Sequence, residues 1–394
     1  MTSQSIRSLP YVSPAATDAE YAQARTQGWL ATSERGFEVL TYDQGWEVMS
    51  SKEFDIGGGF GNVLDAVGLT EGPYREEWNK IIVCNEGDAR DRLRKPFMHL
   101  LKPAQVAKLQ TKVIELINGI LDDIEDPTDV DFMAQIADRL PTQLYCELIS
   151  APLEMESEIY RITNSINPPL LTFNRERLQE SEDAFWEGMA FLRDHIEARR
   201  GNLGDDFTSE LIRCVDDGMI AEDEMMSVAM ALLIASMDNT MHQLGLTFGT
   251  LLEDRTRWEQ VLARPTAAVQ AGEETIRLCP RFNVVARHAS RESVVGDATI
   301  PADSWVMVAT RSGGRDESRF DAPDAFQLGR PPSKALQFGG ASFSCLGATL
   351  ARLEISQMLR IVAERFPNIR LLGDWEKTVG PMVTECARLR VSLV

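Results

Sequence analysis

The 394-residue chain carries 40 basic against 60 acidic residues, a formal net charge of −20 with a pI near 4.7. That balance excludes a duplex-wide nucleic-acid footprint, which needs clustered positive charge. With 44% hydrophobic and 25% charged residues it has a globular composition and length enough for a large core. The longest uncharged apolar stretch, "MMSVAMALLIASM", has 13 residues, too few to span a bilayer.

The start, "MTSQSIRSLPYV", lacks the apolar run of a secretory signal, so none is expected. "FEVLTY" (37–42) and "WEVM" (46–49) flank "DQG", which predicts a β-hairpin. The glycine run at 57–61 lacks G-x-G-x-x-G spacing and a following Lys-Ser/Thr, so it is not a phosphate loop. A local basic run, "RDRLRKPFMHLLK", occupies 90–102. From about 85 to 280 the pattern is helical. "PAQVAKLQTKVIELINGILDDI" has apolar residues at helical spacing, and "SEDAFWEGMAFLRDHIEARRGN" does the same and stops at Gly201. "AEDEMMSVAMALLIASMDNTMHQLGLTFGTLLED" reads as a single helix of about 34 residues, apolar enough in its middle to run through a domain's centre. "SVVGDATIPADSWVMVAT" (293–310) predicts short strands punctuated by Gly and Pro. The chain is therefore expected to be mainly α, a single domain over 1–394. Its β-rich part lies at about 30–60 and 283–330 plus C-terminal strands, and its helical part at about 75–280 and 345–366.

Six cysteines (84, 146, 214, 279, 345, 386) are scattered without a C-x-x-C pair, as in a cytoplasmic protein with reduced thiols. One stands apart. In "FGGASFSCLGATLARLEI" a Gly- and Ser-rich turn leads to Cys345 and a helix follows. A single cysteine is ordinarily a buried structural thiol. A nucleophile needs a base, and the chain has only four histidines. The third alternative is a thiolate bound to iron, favoured at a helix N-terminus, where backbone N–H groups of Leu346 and Gly347 are candidates to tune the sulfur. About 70 residues earlier, "EETIR" puts Glu274 and Arg277 on one helix face.

The order of these pieces resembles the cytochrome P450 superfamily of haem-thiolate monooxygenases, in its bacterial, ferredoxin-dependent form. The family has a long central helix, a Glu-x-x-Arg helix and short strands. It then has a motif like "RDESRFDAPDAF" (315–326), and finally Phe-Gly-x-Gly-x-His/Arg-x-Cys-x-Gly, here Phe338, Gly339, Gly340, Ala341, Ser342, Phe343, Ser344, Cys345, Leu346 and Gly347. The resemblance implies the P450 fold, a haem b cofactor (iron protoporphyrin IX) with Cys345 as iron ligand, and a structural ion pair of Glu274 with Arg277 anchoring the cysteine loop. It implies Arg287 and Arg94 as cations for the haem propionates, with Arg90 where a histidine is usual. Phe338, Gly339 and Gly347 complete the cofactor set.

Three departures stand out. Phe343 replaces a propionate-binding His or Arg, so that contact is expected to be absent. Ala341 replaces a glycine, so this turn position is expected to tolerate a Cβ. "ASMDNT" matches the segment that bends around bound oxygen; Asp238 matches its acid, Asn239 stands where the threonine normally is, and Thr240 follows about 100° around the helix. By resemblance the substrate pocket takes residues 57–74 and 168–173, Leu232, Ala235, Ser236, Val284, Val285 and Met382, mostly apolar. The implied activity is hydroxylation of a small to medium hydrophobic molecule (terpenoid, steroid or aromatic) with O2. The chain shows no flavin, nicotinamide or iron–sulfur motif, so electrons would come from a ferredoxin and its reductase, docking on the basic run at 90–102. A peroxide-using or rearranging haem-thiolate enzyme, or a haem ligand sensor or carrier, stays open; no nucleic-acid or membrane partner is expected.

Overall fold

The first departure from the sequence pattern comes at the predicted hairpin. In the computed structural model, which describes residues 9–394, strand β1 (Leu30–Ser33) pairs antiparallel with β2 (Gly36–Val39), Leu30 facing Val39. Gly36 makes this turn possible: it lies at φ +120°, and a Cβ there would come within 2.4 Å of the Trp305 carbonyl oxygen. The expected second strand, "WEVM", lies instead within the helix Tyr42–Ser50. Its apolar side chains read as a strand only locally; Tyr42, Gly45, Val48 and Met49 are buried at helical spacing. The Asp316 carboxylate accepts from the Tyr42 N–H at 2.9 Å, which satisfies an orphan donor of the first turn. Gly45 lets this helix come close to Val308.

The remaining strands are β3 (Phe54–Asp55), β4 (Val130–Asp131), β5 (Val285–Ala289), β6 (Ser293–Val295), β7 (Ala298–Ile300), β8 (Ser304–Val308), β9 (Arg370–Leu371), β10 (Glu376–Val379), β11 (Thr384–Arg388) and β12 (Arg390–Ser392). The main sheet has the order β1-β2-β8-β5-β3, parallel only between β2 and β8. The expected strands at 293–310 are β6, β7 and β8.

The chain divides into two compact units. One takes in the chain up to Gly57 with Leu246–Cys345 and Trp375–Ala387. Its main sheet buries a core of Leu30, Val39, Val48, Phe54, Val306 and Val308. The other consists of Gly58–Gly245, Leu346–Asp374 and Arg388–Val394; it is mostly helical, with a small sheet of order β4-β12-β9. Within it the helices Glu156–Leu171 and Leu178–Arg200 pack together. Gly188 permits close approach, since a Cβ there would meet Leu233 at 3.1 Å and Ile162 at 3.3 Å. Tyr74, Trp78 and Phe185 form an aromatic knot nearby, and the Tyr74 hydroxyl is satisfied by Ser181 at 2.8 Å.

Two helix expectations need correction. The stretch after Pro103 forms Pro103–Val106, a 3-10 turn and then Gln110–Asp122. The single 34-residue central helix is two helices, Glu222–Ala235 and Asp238–Leu252, parted at Ser236 and Met237. The helix ending before Gly201 is as predicted. No helix among the described residues is long and apolar enough to cross a membrane, and none of the six cysteines is in a disulfide.

Candidate active site

In the first unit the cysteine ends a closed turn. Two 3-10 turns, Leu336–Phe338 and Ala341–Phe343, precede it, and the Cys345 N–H donates to the Phe338 carbonyl at 2.8 Å. Cys345 itself is exposed. The glycines here serve the protein's own backbone: a Cβ on Gly339, at φ +65°, would lie 2.8 Å from the Phe343 carbonyl oxygen, and one on Gly340 would lie 2.9 Å from that of Met49. Ala341 does carry a Cβ, but at φ +50°, so the turn tolerates it in the left-handed region at a cost of about 1–2 kcal/mol.

Arg287, on β5, is buried, with Nη1 donating to the Ala286 carbonyl at 2.9 Å. Its guanidinium carbon lies 5.3 Å from the centroid of the Phe343 ring. The residue that departs from the family's cation therefore flanks a cation instead of supplying one.

Glu274 and Arg277 form a buried bidentate pair, both bonds 2.7 Å. The remaining Arg277 donors go to the carbonyls of Gly314 and Pro323, each at 2.6 Å, and of Ala325 at 3.1 Å. Arg330 Nε donates to Glu274 Oε1 at 2.9 Å and the Gln327 N–H to the same oxygen at 3.0 Å. The pair thus fastens the segment 314–330, which leads toward the cysteine turn in sequence, and Arg330 is a third member that its spacing in the sequence does not reveal. Of the residues expected to line a pocket, Val284 is buried and Val285 and Met382 half-buried; the Met382 carbonyl accepts from the Asn283 N–H at 2.8 Å.

In the second unit, Arg90 and Arg94 lie on the helix Gly87–Leu100, Arg94 buried and Arg90 half-buried with Nη1 on the Ile82 carbonyl at 2.7 Å. Burial, and after it the charge of Arg94, pull the Arg90 guanidinium down to about 10. Gly347 is the N-cap of the helix Ala348–Arg365. Arg92 is paired with Glu224 at 2.6 Å and His99 Nδ1 lies 3.0 Å from Glu210, while Lys95, Met98 and Lys102 are exposed.

At the break in the central helix Leu232 is buried, Ala235 exposed and Ser236 half-buried. Asp238 is 1% exposed. Among the described residues no group hydrogen-bonds the buried Ser236 Oγ or Asn239 Oδ1. Thr240 is buried, and its N–H donates to the Met237 carbonyl at 3.0 Å. His242, one turn on, has Nε2 3.7 Å from Asp238 Oδ1, a pair only when the imidazole is protonated. Its i, i+4 spacing is legible in the sequence. A second acid, Asp138, accepts from the Tyr160 hydroxyl at 2.9 Å. Burial pushes its carboxyl up to about 6; the Tyr160 bond opposes this, and the charges of Asp131 and Asp238 add to it.

Comparison with known proteins places this geometry. The sequence pattern of the family described as Cytochrome P450 matches residues 268–369, which hold the Glu274–Arg277 pair and Cys345. The chain is 31% identical over 290 residues to the 6-deoxyerythronolide B hydroxylase of Saccharopolyspora erythraea, covering 73% of this chain and 71% of that one. The chain belongs to the cytochrome P450 family. To the luteothin monooxygenase of Streptomyces thioluteus this P450 is 28% identical over 376 residues, 94% of this chain and 92% of the relative. The solved structure of CalO2 shares the fold with a TM-score of 0.88 at 20% identity, covering 97% and 98% of the two chains. The protein is a bacterial P450 monooxygenase with the P450 fold, mainly α with a smaller β-rich region, and its family uses a haem-thiolate cofactor, O2, a redox partner and an organic substrate.

The residues of the first unit fit that cofactor: it offers an exposed thiol on a turn closed by its own N–H, and a buried guanidinium, that of Arg287, against the Phe343 ring of the same turn.

Proposed function

We propose that this P450 hydroxylates a small to medium hydrophobic molecule, of terpenoid, steroid or aromatic type, with O2 and electrons from a ferredoxin. The observation that carries the reading is the Cys345 turn: a thiol left exposed while its own N–H is satisfied internally. Cys345 would ligate the iron of haem b; Arg287, Arg90 and Arg94 would hold the propionates; and Phe338, Gly339 and Gly347 would shape the cysteine's surroundings. When bound, the haem supplies activation of O2 for insertion of one oxygen atom into a C–H bond, with thiolate donation favouring O–O cleavage.

The chain's own residues orient the substrate and manage protons. Apolar Leu232, Ala235, Val284, Val285 and Met382, with Ser236, would line the substrate's place. Asp238 would take up and pass on protons at its carboxylate oxygens. The Asn239 amide, a donor and an acceptor but not an acid, would hold a water or a substrate oxygen; its Oδ1 is buried without a hydrogen bond from any described residue. Thr240, one residue late, has its backbone in the first turn of the second helix. Substrate class draws support from relatives with names such as steroid C26-monooxygenase and 6-deoxyerythronolide B hydroxylase. Lys95 and Lys102 around exposed Met98 are the part of the basic run left to meet an acidic ferredoxin, because Arg92 and His99 have acidic neighbours and Arg94 is buried.

The purified, reduced protein under carbon monoxide should show the absorption band diagnostic of thiolate ligation, and Cys345→Ala should lose it. Absence of that band from the wild-type protein would sink the reading. Asn239 also favours a second one, peroxide use. Peroxide-driven turnover that exceeds ferredoxin-driven turnover, with Asn239→Thr reversing the order, would establish it.

A further inference from the structure

The break between Ala235 and Asp238 needs a cause. Kinks of this kind ordinarily follow proline, glycine–serine pairs or an inserted side chain, and "ASMDN" at 235–239 contains neither proline nor glycine. The helix Glu156–Leu171 supplies the side chain. Asn167, 5% exposed, donates from Nδ2 to the Ile234 carbonyl at 2.7 Å. Ile234 lies in the last turn of its helix, where carbonyls run out of intrahelical donors. One turn earlier on the same face, the fully buried Thr163 brings Oγ1 to 3.7 Å from Met237 Sδ. Its single hydroxyl proton has better acceptors in the Ile159 carbonyl at 2.9 Å and that of Tyr160 at 3.1 Å, so Asn167 carries the contact.

We propose that Asn167 is a positioning residue: its amide takes over the backbone donor's place at Ile234, holds the central helix parted, and thereby sets where Asp238 and Asn239 stand. The proposal rests on the roles given above to those two residues. An uninterrupted helix would turn each following side chain by about 100° per residue from the last ordered one. The parted helix instead lets Asp238 begin a new first turn, bonded to Met237 through Thr240 and Met241.

The test compares Asn167→Ala and Asn167→Leu with the wild-type haem-loaded protein. Leucine keeps nearly the same volume and removes the donor, so a role in packing alone predicts wild-type behaviour for Asn167→Leu. Hydrogen exchange of the backbone amides at 236–241 should speed up about tenfold in both variants, the effect of losing one buried hydrogen bond. The C–O stretching band of the ferrous carbon monoxide complex, which reports the polar groups around that ligand, should shift and broaden in both. Asn167→Leu with wild-type exchange rates and an unshifted C–O band would overturn the proposal. A wild-type protein that bound no carbon monoxide would refute the haem reading instead, and the exchange measurement would still decide the role of Asn167.

Discussion

The guanidinium of Arg287 faces the ring of Phe343 across 5.3 Å, within one compact unit. The family's extra cation at 343 is missing, yet the aromatic ring stabilises the cation that remains. A desolvated contact of this kind contributes about 2 kcal/mol. Phe343→Leu should therefore weaken haem retention roughly 5- to 30-fold, measured by haem transfer to apomyoglobin. Retention equal to wild type would remove Phe343 from the cofactor's support.

Removing Glu274 strands two buried or nearly buried guanidiniums, Arg277 and Arg330. Glu274→Ala should cost about 3–5 kcal/mol, read from urea unfolding. Arg330→Ala should cost less, because Arg277 still satisfies the carboxylate. Equal losses for the two variants would mean that the carboxylate is not the centre of the cluster.

Two neighbouring turn positions should respond in opposite directions. Gly339→Ala meets the Phe343 carbonyl at 2.8 Å and sits at φ +65°, so it should destabilise by about 2 kcal/mol or more. Ala341→Gly removes a Cβ at φ +50° and should stabilise by up to about 1 kcal/mol, less the entropy that glycine adds to the unfolded chain. Melting temperatures of the two variants check both signs.

Asp138 predicts a pH dependence. Its folded carboxyl is raised from the ordinary 3.8 to about 6 by burial, with Asp131 and Asp238 adding and the Tyr160 bond opposing. A raised folded value means that the folded state binds the proton more tightly. The stability it contributes is complete below about pH 3.8 and is lost as pH rises through 6, about 3 kcal/mol in all at 1.4 kcal/mol per unit. Asp138→Asn should flatten this part of the profile. Parallel wild-type and variant stabilities between pH 4 and 7 in urea titrations would contradict the assignment.

Reduction by a generic acidic ferredoxin should slow as salt rises. Lys95→Glu with Lys102→Glu should lower the second-order rate constant at least tenfold at low ionic strength and leave the first-order limit unchanged. Stopped-flow reduction at two salt concentrations reads both. Salt-insensitive rates would remove the charged docking surface.

The Glu274–Arg277 pair was legible because the family's motifs tie residue types to fixed spacings. Glu274 and Arg277 are one helical turn apart wherever the helix packs, and Cys345 follows its glycines directly. Other members are separated in sequence by distances that carry no pattern. Arg330 reaches Glu274 across 56 positions, and Asn167 reaches Ile234 across 67. Only packing brings such groups together. The misread hairpin has the same origin: "WEVM" has an apolar pattern compatible with strand or helix, and Asp316, far along the chain, caps the helical alternative.

The sequence by itself determined the mainly helical class and the family, since periodicity and motif spacing are local properties of the chain. Tertiary structure alone decided that the bend implied at "ASMDNT" is a full parting into two helices at Ser236 and Met237, that Phe343 flanks Arg287, and that Ala341 holds a left-handed backbone. Each of these depends on which buried donor, ring or carbonyl a distant segment delivers, and a buried polar group takes the partner that folding places beside it.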